Sequence, residues 1–244
     1  MIERLKAISL KIITELLREF SDSDFIPEFF ELNIGNRDIP SIKIPLNNGS
    51  TISISGIVDR VDVYRSHGKA YLRVIDYKTG NKTFTIEDIK EGLNIQLLLY
   101  IFSLTKGNVE KLTAMFGGTP VAAGITYLSI NSSKNKATSL ESAGSDANSS
   151  EYFKRTGLIL NDEEIINAVS KSADNKVLMK TARKNSFIDS ENFELLYNHI
   201  CQILTDIGEE MISGNIQAIP NEETDACKYC RYGTICRASL NKNW

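Results

Sequence analysis

The runs Gly56-Ile57-Val58-Asp59-Arg60-Val61-Asp62-Val63-Tyr64 and Leu72-Arg73-Val74-Ile75-Asp76-Tyr77-Lys78 read as two strands rich in β-branched residues. Between them His67-Gly68 marks a tight turn, where glycine supplies the positive φ that such turns need. If the turn has two residues, Ser66 opposes Lys69, and counting outward brings Asp59 opposite Asp76. Directly opposed side chains share one face, with Cβ atoms about 5 Å apart. Lys78 lies two residues beyond Asp76 and projects from that same face. Two carboxylates held so close repel unless a cation sits between them, and hard oxygen donors suit Mg²⁺ or Mn²⁺. The plainer alternative is a surface hairpin whose acids are merely solvated. Asp62, three residues from Asp59, falls on the opposite face, which predicts a structural role in pairing with Arg60 or a neighbouring strand.

A chain of 244 residues can bury a full core within one large domain. With 42% hydrophobic and 24% charged residues its composition is that of a globular protein. A net charge of −3 excludes a generally basic nucleic-acid coat, though not a local basic groove. No apolar run approaches the ~20 residues of a membrane span, and the N-terminus lacks a signal-peptide pattern. A cytoplasmic location without membrane contact is expected. Three of the four cysteines crowd into Cys227, Cys230 and Cys236, which in a reducing compartment reads as metal binding before disulfides.

Apolar residues recur at helical spacing over residues 2–20, predicting an amphipathic first helix. Beginning abruptly there, the chain reads as a piece of something longer. Residues 29–34 and 51–55 read as strands, and residues 85–104 as one helix with Glu87 and Asp88 in its first turn. Gln96 and Tyr100, four apart, share a face of that helix. A strand over residues 122–130 follows the turn Gly117-Gly118, and residues 131–150 lack the apolar content to pack, predicting a mobile loop. Helices are expected over residues 162–170 and Ser190–Ser213, the latter stopped by Gly214, before a cysteine-rich tail over 215–244. Strands with helices on both sides predict an α/β fold with a mixed central sheet.

Strand-borne Asp59, the hairpin, Ile75-Asp76-Tyr77-Lys78-Thr79-Gly80, and a helix carrying Gln96-Leu97-Leu98-Leu99-Tyr100 together resemble the PD-(D/E)xK nuclease superfamily. They look most like its RecB-type branch, with the pattern GxxDRxD…DYKTG…QxxxY, which Arg60 and Asp62 also match. The resemblance implies a restriction-endonuclease-like fold and a metal bound by Asp59, Asp76 and the Tyr77 carbonyl. Lys78 would hold or polarise the attacking water, while Gln96 and Tyr100 would orient the lysine and contact DNA. For Gln96 and Tyr100 the plainer reading is a helix face packing on the sheet. Relatives of this branch usually carry a further histidine on a preceding helix. His67 in the turn and His199 in a late helix do not stand there; Glu31 could approach the site from its strand, and Glu15 and Glu19 on the first helix fit no better.

The C-x2-C-x5-C spacing of Cys227, Cys230 and Cys236 resembles the C-terminal part of the iron–sulfur staple of AddB-type helicase–nuclease subunits. In those proteins a fourth, distant cysteine completes a 4Fe–4S cluster with a structural job. Cys201, among Ile200, Ile203 and Leu204, reads as a buried small hydrophobe instead. The basic residues Lys171, Lys176, Lys180, Arg183 and Lys184, with Lys82 and Lys90, are candidate phosphate contacts or solvated charges. The expectation is a single nuclease domain over 1–244 that hydrolyses single-stranded DNA ends with Mg²⁺ or Mn²⁺. Its implied partner is an AddA-type subunit of a bacterial helicase–nuclease for double-strand-break repair. The competing readings are a stand-alone exonuclease of the CRISPR adaptation type and a non-catalytic DNA-binding scaffold of the same fold.

Overall fold

His67 and Gly68 both adopt positive φ, 49° and 73°, as a two-residue hairpin turn requires. This is seen in a computed structural model that describes residues 2–35, 39–79, 84–130, 153–171, 186–220, 227 and 230–236. The turn joins β4 (Gly56–Ser66) to β5 (Lys69–Thr79). Their register runs from Ser66↔Lys69 to Arg60↔Ile75, the count expected of a two-residue turn, and ends one step short of Asp59 and Asp76. Around this hairpin β1 (Ile26–Ile34), β6 (Thr119–Ile130), β7 (Phe153–Leu160) and β8 (Phe187–Ile188) complete a six-stranded sheet. Its order is β1-β4-β5-β6-β7-β8. The β5/β6 and β7/β8 pairs are parallel and the others antiparallel, so the predicted mixed α/β sheet is the observed one.

The parallel β5–β6 pair needs a crossover, supplied by α2 (Ile86–Lys90), α3 (Gln96–Lys106) and α4 (Val109–Phe116). The single helix expected over residues 85–104 is therefore two. Thr85 caps the first by accepting from Asp88 N–H. Gly92 and Asn94 then take positive φ, 71° and 55°, conformations that end a right-handed helix. The break leaves Gln96 as the first residue of α3 rather than a mid-helix position. The strand expected over residues 51–55 is also shorter: β3 (Thr51–Ser53) pairs only with β2 (Lys43–Pro45), in a separate two-stranded sheet.

The main core lies on the face of the hairpin that carries Val61, Val63, Leu72 and Val74. Leu97, Leu98, Ile101 and Phe102 of α3 fill it. Behind α3 stands α6 (Ser190–Ser213), joined by the edge-to-face pair Phe102–Tyr197 and ended by Gly214 at φ 76°, as the sequence predicts. α5 (Glu163–Val169) is capped by Asp162. On the other face α1 (Ile2–Asp22) lays Ile12 against Ile75 and Leu128. Among the described residues no helix is long and apolar enough to cross a membrane. The expected loop 131–150 lies outside the described residues, as do Lys82, Lys176, Lys180, Arg183 and Lys184.

Candidate active site

The pleat divides the hairpin's charged residues between two environments. On the core face, Lys78 Nζ lies 2.8 Å from Asp76 Oδ2 and donates to Oδ1 at 3.1 Å. Asp76 is only 4% exposed, because it sits on the central strand between β4 and β6. Asp59 is half-buried on β4, and its Oδ2 accepts the backbone N–H of Tyr77 at 2.9 Å. Asp59, Asp76 and Lys78 thus share one side of the hairpin, as the sequence predicts.

Lys78 borders a cleft of about 430 Å³ whose walls include Ser55, Asn94, Gln96, Tyr100 and Tyr127. Gln96 Nε2 donates to the Tyr100 hydroxyl at 3.0 Å, so this pair does share a helix face. Tyr100 also has the packing role of the plainer reading, since it is 8% exposed and belongs to the core. Gly56 makes that fit possible. A Cβ there would stand 2.7 Å from the Tyr100 ring, closer than carbon atoms approach without a shift. Packing and cleft-lining roles therefore coexist in Tyr100.

Sequence reasoning missed Asn94 and Tyr127. Tyr127 is the register partner of Asp76 on β6, and its ring lies 5.8 Å from the Lys78 ammonium. Burial, with Asp76 and Tyr100 nearby, pushes its phenol up to about 12, so the hydroxyl keeps its proton. It donates to the Asn94 carbonyl at 3.4 Å, while Asn94 Nδ2 reaches Asp88 Oδ2 at 2.8 Å. The Asn in the left-handed conformation was the available signal. A larger cleft of about 680 Å³, lined by Leu158, Ile188, Leu196 and His199, holds the candidate phosphate contact Lys90 but none of the expected metal or catalytic residues.

The opposite face holds Asp62, fully buried, whose carboxylate receives Arg60 Nε at 2.8 Å and Arg73 Nη2 at 2.7 Å. Glu19 of α1 joins them, accepting from Arg73 and from Arg155 of β7 at 2.9 Å each and from Arg60 at 3.3 Å. Burial pushes the Glu19 carboxyl up, but Arg73, Arg155 and Arg60 outweigh it and bring it down to about 2. Glu19 therefore serves the back of the sheet, and the structural role expected of Asp62 is met there.

Two carboxylates on one face are hard donors that fit a divalent cation. Mg²⁺ is commonly held by one or two carboxylates, with waters and substrate phosphate filling its remaining positions. Among the described residues no group of three or more His, Cys, Asp or Glu side chains is arranged to hold a metal. Cys227, Cys230 and Cys236 are among those residues, with their thiols exposed around a short turn and the helical residues Gly233–Cys236. Cys201 is half-buried within α6. As they stand, the three tail thiols are not gathered into a cluster site.

Over residues 1–237 the chain matches the PD-(D/E)XK nuclease superfamily. It is 33% identical to the B subunit of the ATP-dependent helicase/deoxyribonuclease of Thermoanaerobacter sp. (strain X514), over 98% of this chain and 22% of that protein. The protein of the same name from Clostridium novyi (strain NT) is likewise 33% identical, over 98% of this chain and 22% of its own length. That from Clostridium botulinum (strain Hall) is 32% identical, over 89% and 20%. The chain thus spans about a fifth of the length of the curated relatives it matches. With its hairpin, two aspartates and lysine on a mixed sheet, the chain belongs to the PD-(D/E)XK nuclease superfamily.

Proposed function

We propose that this chain is the nuclease domain of a helicase/deoxyribonuclease component and hydrolyses phosphodiesters of single-stranded DNA ends. The observation that carries the reading is Asp59 and Asp76 on one side of the hairpin, with Lys78 ion-paired to Asp76 at the border of an open cleft. In this reading Asp59, Asp76 and the Tyr77 carbonyl hold Mg²⁺ or Mn²⁺. The ion would lower the pKa of a bound water and draw charge from the phosphate. Lys78, partly exposed and tethered to Asp76, orients the attacking water and offsets the negative charge that builds on the phosphate oxygens. Gln96 and Tyr100, hydrogen-bonded to each other at the cleft wall, orient the lysine and contact the DNA. The associated helicase would be an AddA-type subunit in the cytoplasm, delivering unwound ends to the cleft.

The test is degradation of end-labelled single-stranded DNA by the natural polypeptide that carries this chain, with Mg²⁺ or Mn²⁺ present. Asp76→Ala and Lys78→Ala are expected to abolish it. Full activity in either variant would remove the assigned site, and an inactive parent would leave a DNA-binding scaffold. For the tail, the C-x2-C-x5-C spacing and its resemblance to an iron–sulfur staple lead us to assign Cys227, Cys230 and Cys236 as three ligands of a 4Fe–4S cluster completed from elsewhere in the polypeptide. The purified polypeptide should then contain iron and acid-labile sulfide. Stoichiometric zinc instead would make the tail a structural zinc site.

A further inference from the structure

Tyr77 is the only residue of the Asp76-Tyr77-Lys78 run whose side chain leaves the site. Its ring joins Ile75, Leu128 and Ile12 on the α1 face of the sheet, and its hydroxyl accepts Arg60 Nη1 at 2.8 Å. Its backbone stays on the other side, where the N–H donates to Asp59 Oδ2 at 2.9 Å. We propose that Tyr77 is a positioning residue, through which the buried ion cluster behind the sheet fixes the Asp59 carboxylate in front of it. The inference rests on the metal-site reading above and adds to it a residue that acts through another.

The chain of constraint is continuous. Asp62 grips one edge of the Arg60 guanidinium at two points, with Nε to Oδ1 at 2.8 Å and Nη2 to Oδ2 at 3.0 Å. Such a two-point grip fixes the plane of the guanidinium as well as its position. Glu19 adds a third contact, and the Phe20 ring lies 5.2 Å from the guanidinium carbon. Arg60 has no exposed surface, so it has no freedom to release Tyr77 into solvent. Held at its hydroxyl and packed along its ring, Tyr77 presents its N–H to Asp59 in one orientation. An N–H bond to a carboxylate fixes which oxygen is left for a metal, as partners of metal ligands do elsewhere.

The experiment measures Mn²⁺ binding without DNA in the natural polypeptide, counting as this site the ion that the parent binds and Asp76→Ala does not. Tyr77→Phe keeps the ring and removes only the hydroxyl. Loss of such an outer partner is expected to weaken Mn²⁺ at this site about tenfold and to raise the half-saturating Mg²⁺ for cleavage by a similar factor. Affinity for single-stranded DNA in EDTA should not change. Arg60→Lys keeps the charge but cannot fork between Asp62 and Tyr77, and it should shift metal affinity in the same direction. A purely structural Tyr77 would lower the unfolding midpoint and leave the metal affinity of the folded protein alone. Parental Mn²⁺ affinity in Tyr77→Phe would overturn the inference while leaving the site intact. An Asp76→Ala protein that loses no Mn²⁺ and still cleaves would overturn the site reading, and this inference with it.

Discussion

Asp59 and Asp62 stand three residues apart on β4, and the pleat sends them to opposite sides of one sheet. Asp62 enters a cluster of three arginines and Glu19, where each acid has several short charge-assisted partners. Asp59 enters a face with a second carboxylate across the hairpin and a partly exposed lysine, beside a cleft. Taking charges out of water costs several kcal/mol per ion, which the back cluster offsets by mutual pairing. On the front face Asp76 pairs with the partly exposed Lys78 and Asp59 accepts a backbone N–H, donors that suit a bound ion in the proposed reading. Identical residue types thus pair with arginines on one face and, in the proposed reading, take a metal ion on the other.

The largest expected effect tests the front. Asp76→Asn should lower DNA cleavage at least a thousandfold, roughly 4 kcal/mol of lost transition-state stabilisation. Its unfolding free energy should change little, because the isosteric amide keeps the packing and the Lys78 ammonium is partly exposed to water. A variant that loses both activity and stability would make Asp76 a structural residue like Asp62. The complementary substitution is Asp62→Ala, which strands Arg60 and Arg73 in the interior. Breaking a buried pair on one side costs on the order of 3 kcal/mol or more, read as a fall in urea midpoint. Stability close to the parent's would mean the back cluster contributes no rigidity, and with it the contrast between the faces would disappear.

Next in size is the acid dependence that Glu19 gives the back face. Glu19 lies at about 2 in the folded protein against an ordinary 4.5, so below pH 4.5 the unfolded chain takes up the proton first. The stabilisation is complete above that value and is lost as pH falls toward 2, with about 2 kcal/mol gone by pH 3. Unfolding measured between pH 5 and 3 should show this slope in the parent and lack it in Glu19→Gln. An unchanged slope in that variant would place the acid sensitivity elsewhere.

How much of this was legible in the sequence follows from the range of the interactions. Turn chemistry and strand alternation are local, so the side shared by Asp59 and Asp76, the side taken by Lys78 and the structural fate of Asp62 could be counted out. Gln96 and Tyr100 were likewise within one helical turn. The back cluster was not legible, because Glu19 meets partners 54 and 136 residues away, brought together by α1 docking and by the position of β7 in the sheet. Charged residues inside otherwise apolar strands, Arg60 and Arg73 among them, were its only trace. The break between α2 and α3 had a visible cue in Gly92 and Asn94, but apolar periodicity continues across it and masked the stop. Tyr77 was visible as a backbone ligand by resemblance. Its side-chain role depends on Arg60 lying behind the sheet, a matter of packing between strands and helix.

The smallest effect checks whether burial, and not pairing as such, separates these ion pairs. Arg65 and Glu28 join β4 to β1 in a two-point contact, Nη1 to Oε1 at 2.5 Å and Nη2 to Oε2 at 2.7 Å. The geometry is as good as that of Arg60 with Asp62, but both side chains are partly exposed, at 39% and 26%. Water competes for both partners there, and an exposed pair contributes about 0–1 kcal/mol. Arg65 also donates Nε to the Phe116 carbonyl at 2.7 Å, so it stays anchored when its acid is lost. Glu28→Gln should therefore cost less than about 1 kcal/mol, with the difference from the parent shrinking as salt is raised. A loss as large as that of Asp62→Ala would mean that two-point geometry alone, buried or not, sets the strength of these pairs.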